Sequence, residues 1–208
     1  MVQVAIDNAL ADAQLQQALA AYGYTAARLE QGRQLYQTVL GLQHRQQSGY
    51  GGQRTASDAA NAAWKQANET YMRLSKVARV ALKEQQGDCL ALGLNGARKQ
   101  SFAGWLAQVQ QFYTNALAQQ AVLARLGEFG VTEAKLKAGQ ALVVAAEAAY
   151  ATQKRDKDAA QQATQARNAA LRQLTRWHGD FVKLARIAFE DEPQRLEQLG
   201  IVTPLVAL

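Results

Sequence analysis

The sequence predicts an all-α fold, and three observations carry that expectation. Of 208 residues, 42 are alanine and 28 glutamine, a composition that favours helices. The only prolines are Pro193 and Pro204, so nothing of that kind interrupts helix propagation over the first 192 residues. The chain also matches itself, without a gap, at an offset of 107 residues. An internal repeat of this kind has to be found before any fold is assigned.

The self-match is specific. Asn8-Ala9-Leu10-Ala11 falls on Asn115-Ala116-Leu117-Ala118, and Tyr22-Gly23-Tyr24-Thr25 on Phe129-Gly130-Val131-Thr132. Asn61-Ala62-Ala63 falls on Asn168-Ala169-Ala170, and Lys76-Val77-Ala78-Arg79-Val80-Ala81 on Lys183-Leu184-Ala185-Arg186-Ile187-Ala188. Leu92-Gly93-Leu94 falls on Leu199-Gly200-Ile201. About 26 of the hundred aligned positions are identical, against roughly 8 expected by chance, and glycines and charges agree as well as alanines. The expected organisation is a tandem duplication: a first helical repeat at 1–94, a linker at 95–100 and a second repeat at 101–208, packed as one domain.

Each half begins with a helix running to Gly23 or Gly130, where glycine can take the left-handed conformation that closes a helix. The next helix opens at Thr25 or Thr132, whose hydroxyl can accept from a free amide. Tyr24 and Val131 precede these caps, and Leu29 and Leu136 lie four residues inside. That spacing makes a hydrophobic staple in both halves. The second helix shows Leu29, Gly32, Leu35 and Val39, matched by Leu136, Gly139, Leu142 and Ala146, at the 3–4 spacing of one buried face. An interior glycine costs about 1 kcal/mol relative to alanine. Its presence at both Gly32 and Gly139 predicts close approach of a neighbouring helix.

Near residue 47 the run Ser48-Gly49-Tyr50-Gly51-Gly52 reads as a breaker. Its counterpart, Arg155-Asp156-Lys157-Asp158-Ala159, is charged and compatible with helix. The favoured reading is a hairpin in each half. The competing one is a single helix of about 50 residues, roughly 75 Å long. Third helices are expected from about 55 to 84 and from 162 to 191, then short helices ending at Leu92-Gly93-Leu94 and Leu199-Gly200-Ile201 in the Schellman pattern. Pro193 fits the first turn of the last of these. With hairpins, the result is a four-long-helix bundle with additional shorter helices and pseudo-twofold symmetry.

The chemistry-bearing residues are few. His44 and His178 are the only histidines, occupy different positions in the two halves, and form no Glu-x-x-His pair. Cys89 stands alone, with no zinc-ligand spacing around it, and aligns with Leu196, so it reads as a small core residue. A single cysteine also fits a reducing, cytoplasmic setting, and MVQVAIDNAL has no basic n-region followed by an apolar core. The glycines at 49–52 lack the Lys-Ser/Thr of a phosphate loop and follow a helix rather than a strand. These absences argue against an enzyme and imply no cofactor and no metal.

Net charge is +6 and the isoelectric point near 9.5, which raises nucleic acid or an anionic surface as a partner. The positives are scattered, with no run of five, and no nucleic-acid-binding motif accompanies them. Lys76 with Arg79, and Lys183 with Arg186, form a stripe kept in both halves and are the candidate anion-binding residues. A solvated face explains the same stripe.

Missing charge is the more unusual feature. No charged residue occurs from 100 to 124, although nine positions there are Gln, Ser, Thr or Asn. Such a helix is too polar to span lipid and poorly charged for a free surface. It is either sandwiched in the bundle or a contact surface, because interface cores are depleted of charge. The helix expected from about 101 to 126 carries Phe102, Trp105, Gln108, Phe112, Tyr113 and Gln119 as candidate interaction residues. The functional expectation is a non-enzymatic structural or interaction protein that associates with itself or with another helical protein, Trp105 and Phe112 serving as anchors.

Overall fold

The computed structural model describes residues 2–202. Eight helices and no strand occur among them: α1 (Val2–Ala11), α2 (Ala13–Ala21), α3 (Ala26–Ala81), α4 (Gln86–Ala91), α5 (Phe102–Ala118), α6 (Gln120–Glu128), α7 (Glu133–Ala188) and α8 (Gln194–Gln198). Helices α3 and α7, each of 56 residues, pack antiparallel with the shorter helices around them.

The expected hairpins do not form. Helix α3 runs straight through Ser48-Gly49-Tyr50-Gly51-Gly52, and α7 through residues 155–159, so two long helices stand where four were expected. Glycine lowers helix propensity by about 1 kcal/mol per residue but does not forbid the helical conformation. None of these three glycines has a positive φ. Antiparallel pairing overrides the local preference: Gly49 lies against Ala160, Gln46 Nε2 donates to Thr164 Oγ1 at 3.2 Å, and Gln153 Nε2 donates to Ser57 Oγ at 3.2 Å.

The corners follow the sequence closely. Gly23, Gly93, Gly130 and Gly200 all have φ between 65° and 83°. At each, the residue after the glycine donates back five residues: Tyr24 to Leu19, Leu94 to Cys89, Val131 to Leu126 and Ile201 to Leu196, at 2.8–3.0 Å. Thr25 Oγ1 accepts from Arg28 N at 3.4 Å, and Thr132 Oγ1 from Lys135 N at 3.3 Å. The staple residues Tyr24, Leu29, Val131 and Leu136 are all buried.

Each leading segment is two helices rather than one. Asp12 interrupts the first, its carboxylate accepting from Gln14 N at 2.7 Å and Leu15 N at 3.1 Å as the N-cap of α2. Gln119 interrupts the second in an extended conformation, without a side-chain cap bond. A capping aspartate competes well with helix continuation, and an alanine-rich run hides that competition in the sequence.

The chain divides into two compact units whose boundaries fall at Tyr50/Gly51 and Asp158/Ala159. Unit 1 holds α1, α2, residues 26–50 of α3, residues 159–188 of α7, and α8. Its core joins Ala5, Ala9, Leu15, Leu19, Tyr24 and Leu29 to Phe181, Ala185, Phe189, Leu196 and Leu199. Unit 2 holds residues 51–81 of α3, then α4, α5 and α6, and residues 133–158 of α7. Its core joins Tyr71, Leu74, Ala78 and Leu82 to Trp105, Val109, Phe112, Tyr113, Val122, Leu126 and Leu136. Each unit thus takes its leading arm from one half of the sequence and its third-helix segment from the other.

Candidate interaction faces

The charge-free arm is spent on packing. Trp105, Phe112 and Tyr113 are fully buried within unit 2. Trp105 Nε1 donates to Asn68 Oδ1 at 3.0 Å, and the Phe112 ring meets Tyr71 edge-on at 5.4 Å. The Tyr113 hydroxyl sits against Gly139, buried without a partner, and burial pushes its pKa well above the usual phenol value. Phe102 is half-buried and stacks on Tyr150 at 4.0 Å. Gln108 accepts from Lys99 N and donates to the Gly93 carbonyl, both at 3.4 Å, while Gln119 is half-buried at the α5–α6 joint. Burial removes Trp105, Phe112 and Tyr113 as anchors for a second molecule, because their apolar surface is already covered within the chain. Helix α5 buries one side, with Trp105, Val109, Phe112, Tyr113 and Ala116, and leaves Ala103, Ala107, Gln110, Gln111, Thr114 and Ala118 exposed.

Exposed apolar side chains lie elsewhere, among them Leu90, Val144 and Val202, and two pairs of them share the 107-residue offset. Val80 is 61% exposed and Ile187 50%; Tyr22 is 44% exposed and Phe129 42%. In unit 2, Val80 shares a helix side with Lys76 and Arg79, both exposed at the end of α3. Arg79 Nε donates to the Leu94 carbonyl at 3.1 Å. Arg125 draws the next corner onto the same place: its Nε donates to the Ala81 carbonyl at 3.1 Å, and its guanidinium lies 5.2 Å from the Phe129 ring centre.

In unit 1, Ile187 lies beside the exposed Lys183 and Arg186 at the end of α7. Lys183 Nζ is 3.9 Å from Asp180 Oδ1, a long and solvated pair worth little. Arg79 and Arg186 both fall in the last turn of a 56-residue helix, where a cation offsets the partial negative charge of the free carbonyls. That accounts for the arginines but not for the exposed β-branched residue beside each.

Two further cations belong to the unit 1 face. Arg172 and Arg176 are exposed and, with Leu171 and Thr175, line an open groove of about 390 Å³. At 100° per residue, Arg172, Arg176, Lys183 and Arg186 fall on one side of α7. The sequence reading missed the first two because it took only identical cations, whereas Arg172 aligns with Lys65 and Arg176 with Glu69. The 11-residue step from 172 to 183 was the available signal.

Little else is chemically poised. A recess of about 80 Å³ in unit 1, lined by Gln3, Ile6, Asp7, Arg33, Tyr36 and Gln37, holds an Arg33–Asp7 ion pair at 3.0 Å. Burial lowers the His178 pKa from its usual value. Cys89 is buried, its Sγ 3.2 Å from the Leu82 carbonyl. Among the described residues no group of three or more His, Cys, Asp or Glu side chains could hold a metal ion, and no helix is long and apolar enough to cross a membrane. No protein-family model, no curated protein and no solved structure matches the chain.

Proposed function

We propose that this is a non-enzymatic interaction protein that self-associates through the basic–apolar faces ending its two long helices. One observation carries the reading: at the only hexapeptide-length match between the halves that ends a long helix, an exposed Val80 or Ile187 sits beside Lys76 and Arg79, or Lys183 and Arg186. A lone exposed apolar residue is ordinary, but the same one at both equivalent positions is not. The acidic, exposed Glu190, Asp191 and Glu192 of unit 1 offer the complementary charge. The direct test is light scattering of the full chain after size exclusion. Val80→Asp combined with Ile187→Asp should lower the assembly mass with helicity unchanged; a wild type that is monomeric at high micromolar concentration defeats the proposal.

The reading rests on a tandem duplication with pseudo-twofold symmetry. Its supports are the identities at offset 107 and the boundaries of α3 and α7, which begin and end 107 residues apart. Two hydrogen bonds repeat as well: Asn8 Nδ2 donates to the Gln198 carbonyl and Asn115 Nδ2 to the Ala91 carbonyl, each at 2.6 Å. A second function, binding of an anionic polymer such as nucleic acid, draws on the side of α7 carrying Arg172, Arg176, Lys183 and Arg186. Steep salt dependence of binding distinguishes it from self-association. The buried single Cys89 suits a reducing, cytoplasmic setting.

A further inference from the structure

The geometry points to a sorting device: the bulky residues of unit 1 and unit 2 are distributed so that each half of the chain pairs with the other half and not with itself or with the same half of a second copy. The inference rests on the duplication.

Unit 1 draws its bulk from the third-helix segment. Trp177 and Phe181 stack at 5.5 Å and both meet Tyr24, while the arm contributes Ala5, Ile6, Ala9, Leu15 and Leu19, none of them a ring. Trp177 takes the space above Gly32, where an added Cβ would lie 2.3 Å from its ring. Unit 2 is built the other way. Its arm contributes Phe112 and Tyr113 at the positions equivalent to Ala5 and Ile6, and Tyr113 takes the space above Gly139. Its third-helix segment has Thr70 and Leu74 where the other copy has Trp177 and Phe181.

Register makes the comparison exact in position. Gly32 meets Trp177 and Gly49 meets Ala160, pairs whose numbers both total 209. The offset of 107 carries residue 32 to 139 and residue 70 to 177, so on the duplication Thr70 is the counterpart, for Gly139, of Trp177 for Gly32. Pairing within one half would therefore place Trp177, Phe181, Phe112 and Tyr113 around one glycine, more than a close-packed interior admits. The other half would gather Ala5, Ile6, Thr70, Tyr71 and Leu74 around Gly32, with Tyr71, the counterpart of His178, as the one ring among them, and would be underfilled. Only the crossed arrangement puts one set of large rings at each glycine.

The test moves the bulk between the copies in the full chain. Thr70→Trp with Leu74→Phe forms one half-exchange, Trp177→Thr with Phe181→Leu the other, and the four changes together the complete exchange. A protease site in the exposed linker 95–100 reports the pairing. Cut wild type should elute as one complex, because each unit contains both pieces. The cut complete exchange should separate into its two pieces. Each half-exchange should lower the melting temperature by on the order of 10 °C, and the complete exchange should recover most of both losses. The two sites lie in different units, so without a change of pairing their effects should add. Additive losses, a complete exchange that does not fold while the half-exchanges do, or pieces that still co-elute, overturn the sorting device. A Thr70→Trp and Leu74→Phe variant that melts like wild type instead refutes the equivalence of 70 with 177, and so the duplication beneath it. Neither readout depends on association through the end faces.

Discussion

Substituting alanine at Gly32 and Gly139 separates a packing role from a propensity cost by the sign of one number. Glycine in a helix interior is about 1 kcal/mol worse than alanine, so Gly→Ala at an open position stabilises by roughly that amount. Gly41, Gly51 and Gly52 are open, with nothing within 4 Å of an added Cβ. At Gly32 the same atom would lie 2.3 Å from Trp177 Cζ2 and Cη2, and at Gly139 2.4 Å from Tyr113 Oη. Carbon atoms in contact sit about 3.5–4.0 Å apart, so the ring must retreat by more than an ångström. The indole is rigid, stacked on Phe181 and tied by its backbone carbonyl to the Tyr24 hydroxyl at 3.2 Å, so the shift cannot be confined to a flexible chain end. Overpacking of this kind costs about 1–3 kcal/mol. Net of the propensity gain, Gly32→Ala should destabilise by up to about 2 kcal/mol, which lowers the melting temperature by up to about 8 °C in a chain of this size. Gly51→Ala should raise it by about 2–4 °C. Differential scanning calorimetry at one pH decides. A Gly32→Ala protein stabilised as much as Gly51→Ala would refute the close packing of Trp177 on Gly32.

Two other consequences are directly measurable. Burial lowers the His178 pKa, so the unfolded chain takes up a proton before the folded one does as pH falls. The stability this neutral imidazole contributes is complete above the unfolded value near 6.5 and is lost as pH drops below it. Chemical denaturation between pH 7 and 5 should therefore show stability falling toward pH 5, and His178→Gln should flatten most of that slope. Asp12→Ala removes both cap bonds to Gln14 and Leu15 and should cost about 1 kcal/mol, read as a lower urea midpoint with an unchanged slope.

The legible parts of this fold were those fixed by local chemistry. The helix stops at Gly23, Gly93, Gly130 and Gly200 and the caps at Thr25 and Thr132 all follow from conformational freedom or side-chain reach within a few residues. The illegible parts depended on which segments meet. Nothing local at Ser48–Gly52 records that residues 154–164 of α7 lie alongside and keep the helix unbroken. For the same reason Trp105 and Phe112 read equally well as surface anchors or as core. Only the partners Asn68 and Tyr71, more than thirty residues away in the chain, decide it. Val80 and Ile187 are exposed next to the buried Ala78, Ala81 and Ala185, and nothing local marks them as a surface for a partner.

The amide-rich arms face backbone carbonyls that need donors. Short helices α4 and α8 each end with free backbone acceptors, which a helix terminus must have satisfied from outside. Gln111 Nε2 and Asn115 Nδ2 both donate to the Ala91 carbonyl, at 3.0 and 2.6 Å, and Gln108 Nε2 to the Gly93 carbonyl at 3.4 Å. In unit 1, Asn8 donates to the Gln198 carbonyl, and Val4 lies against Gly200 where Gln111 lies against Gly93. Amides suit this work because each donates without adding a charge, and Asn8 and Gln111 do so from exposed positions. What remains for a partner is the opposite kind of surface: cations at helix ends with an uncovered Val80 or Ile187 between them.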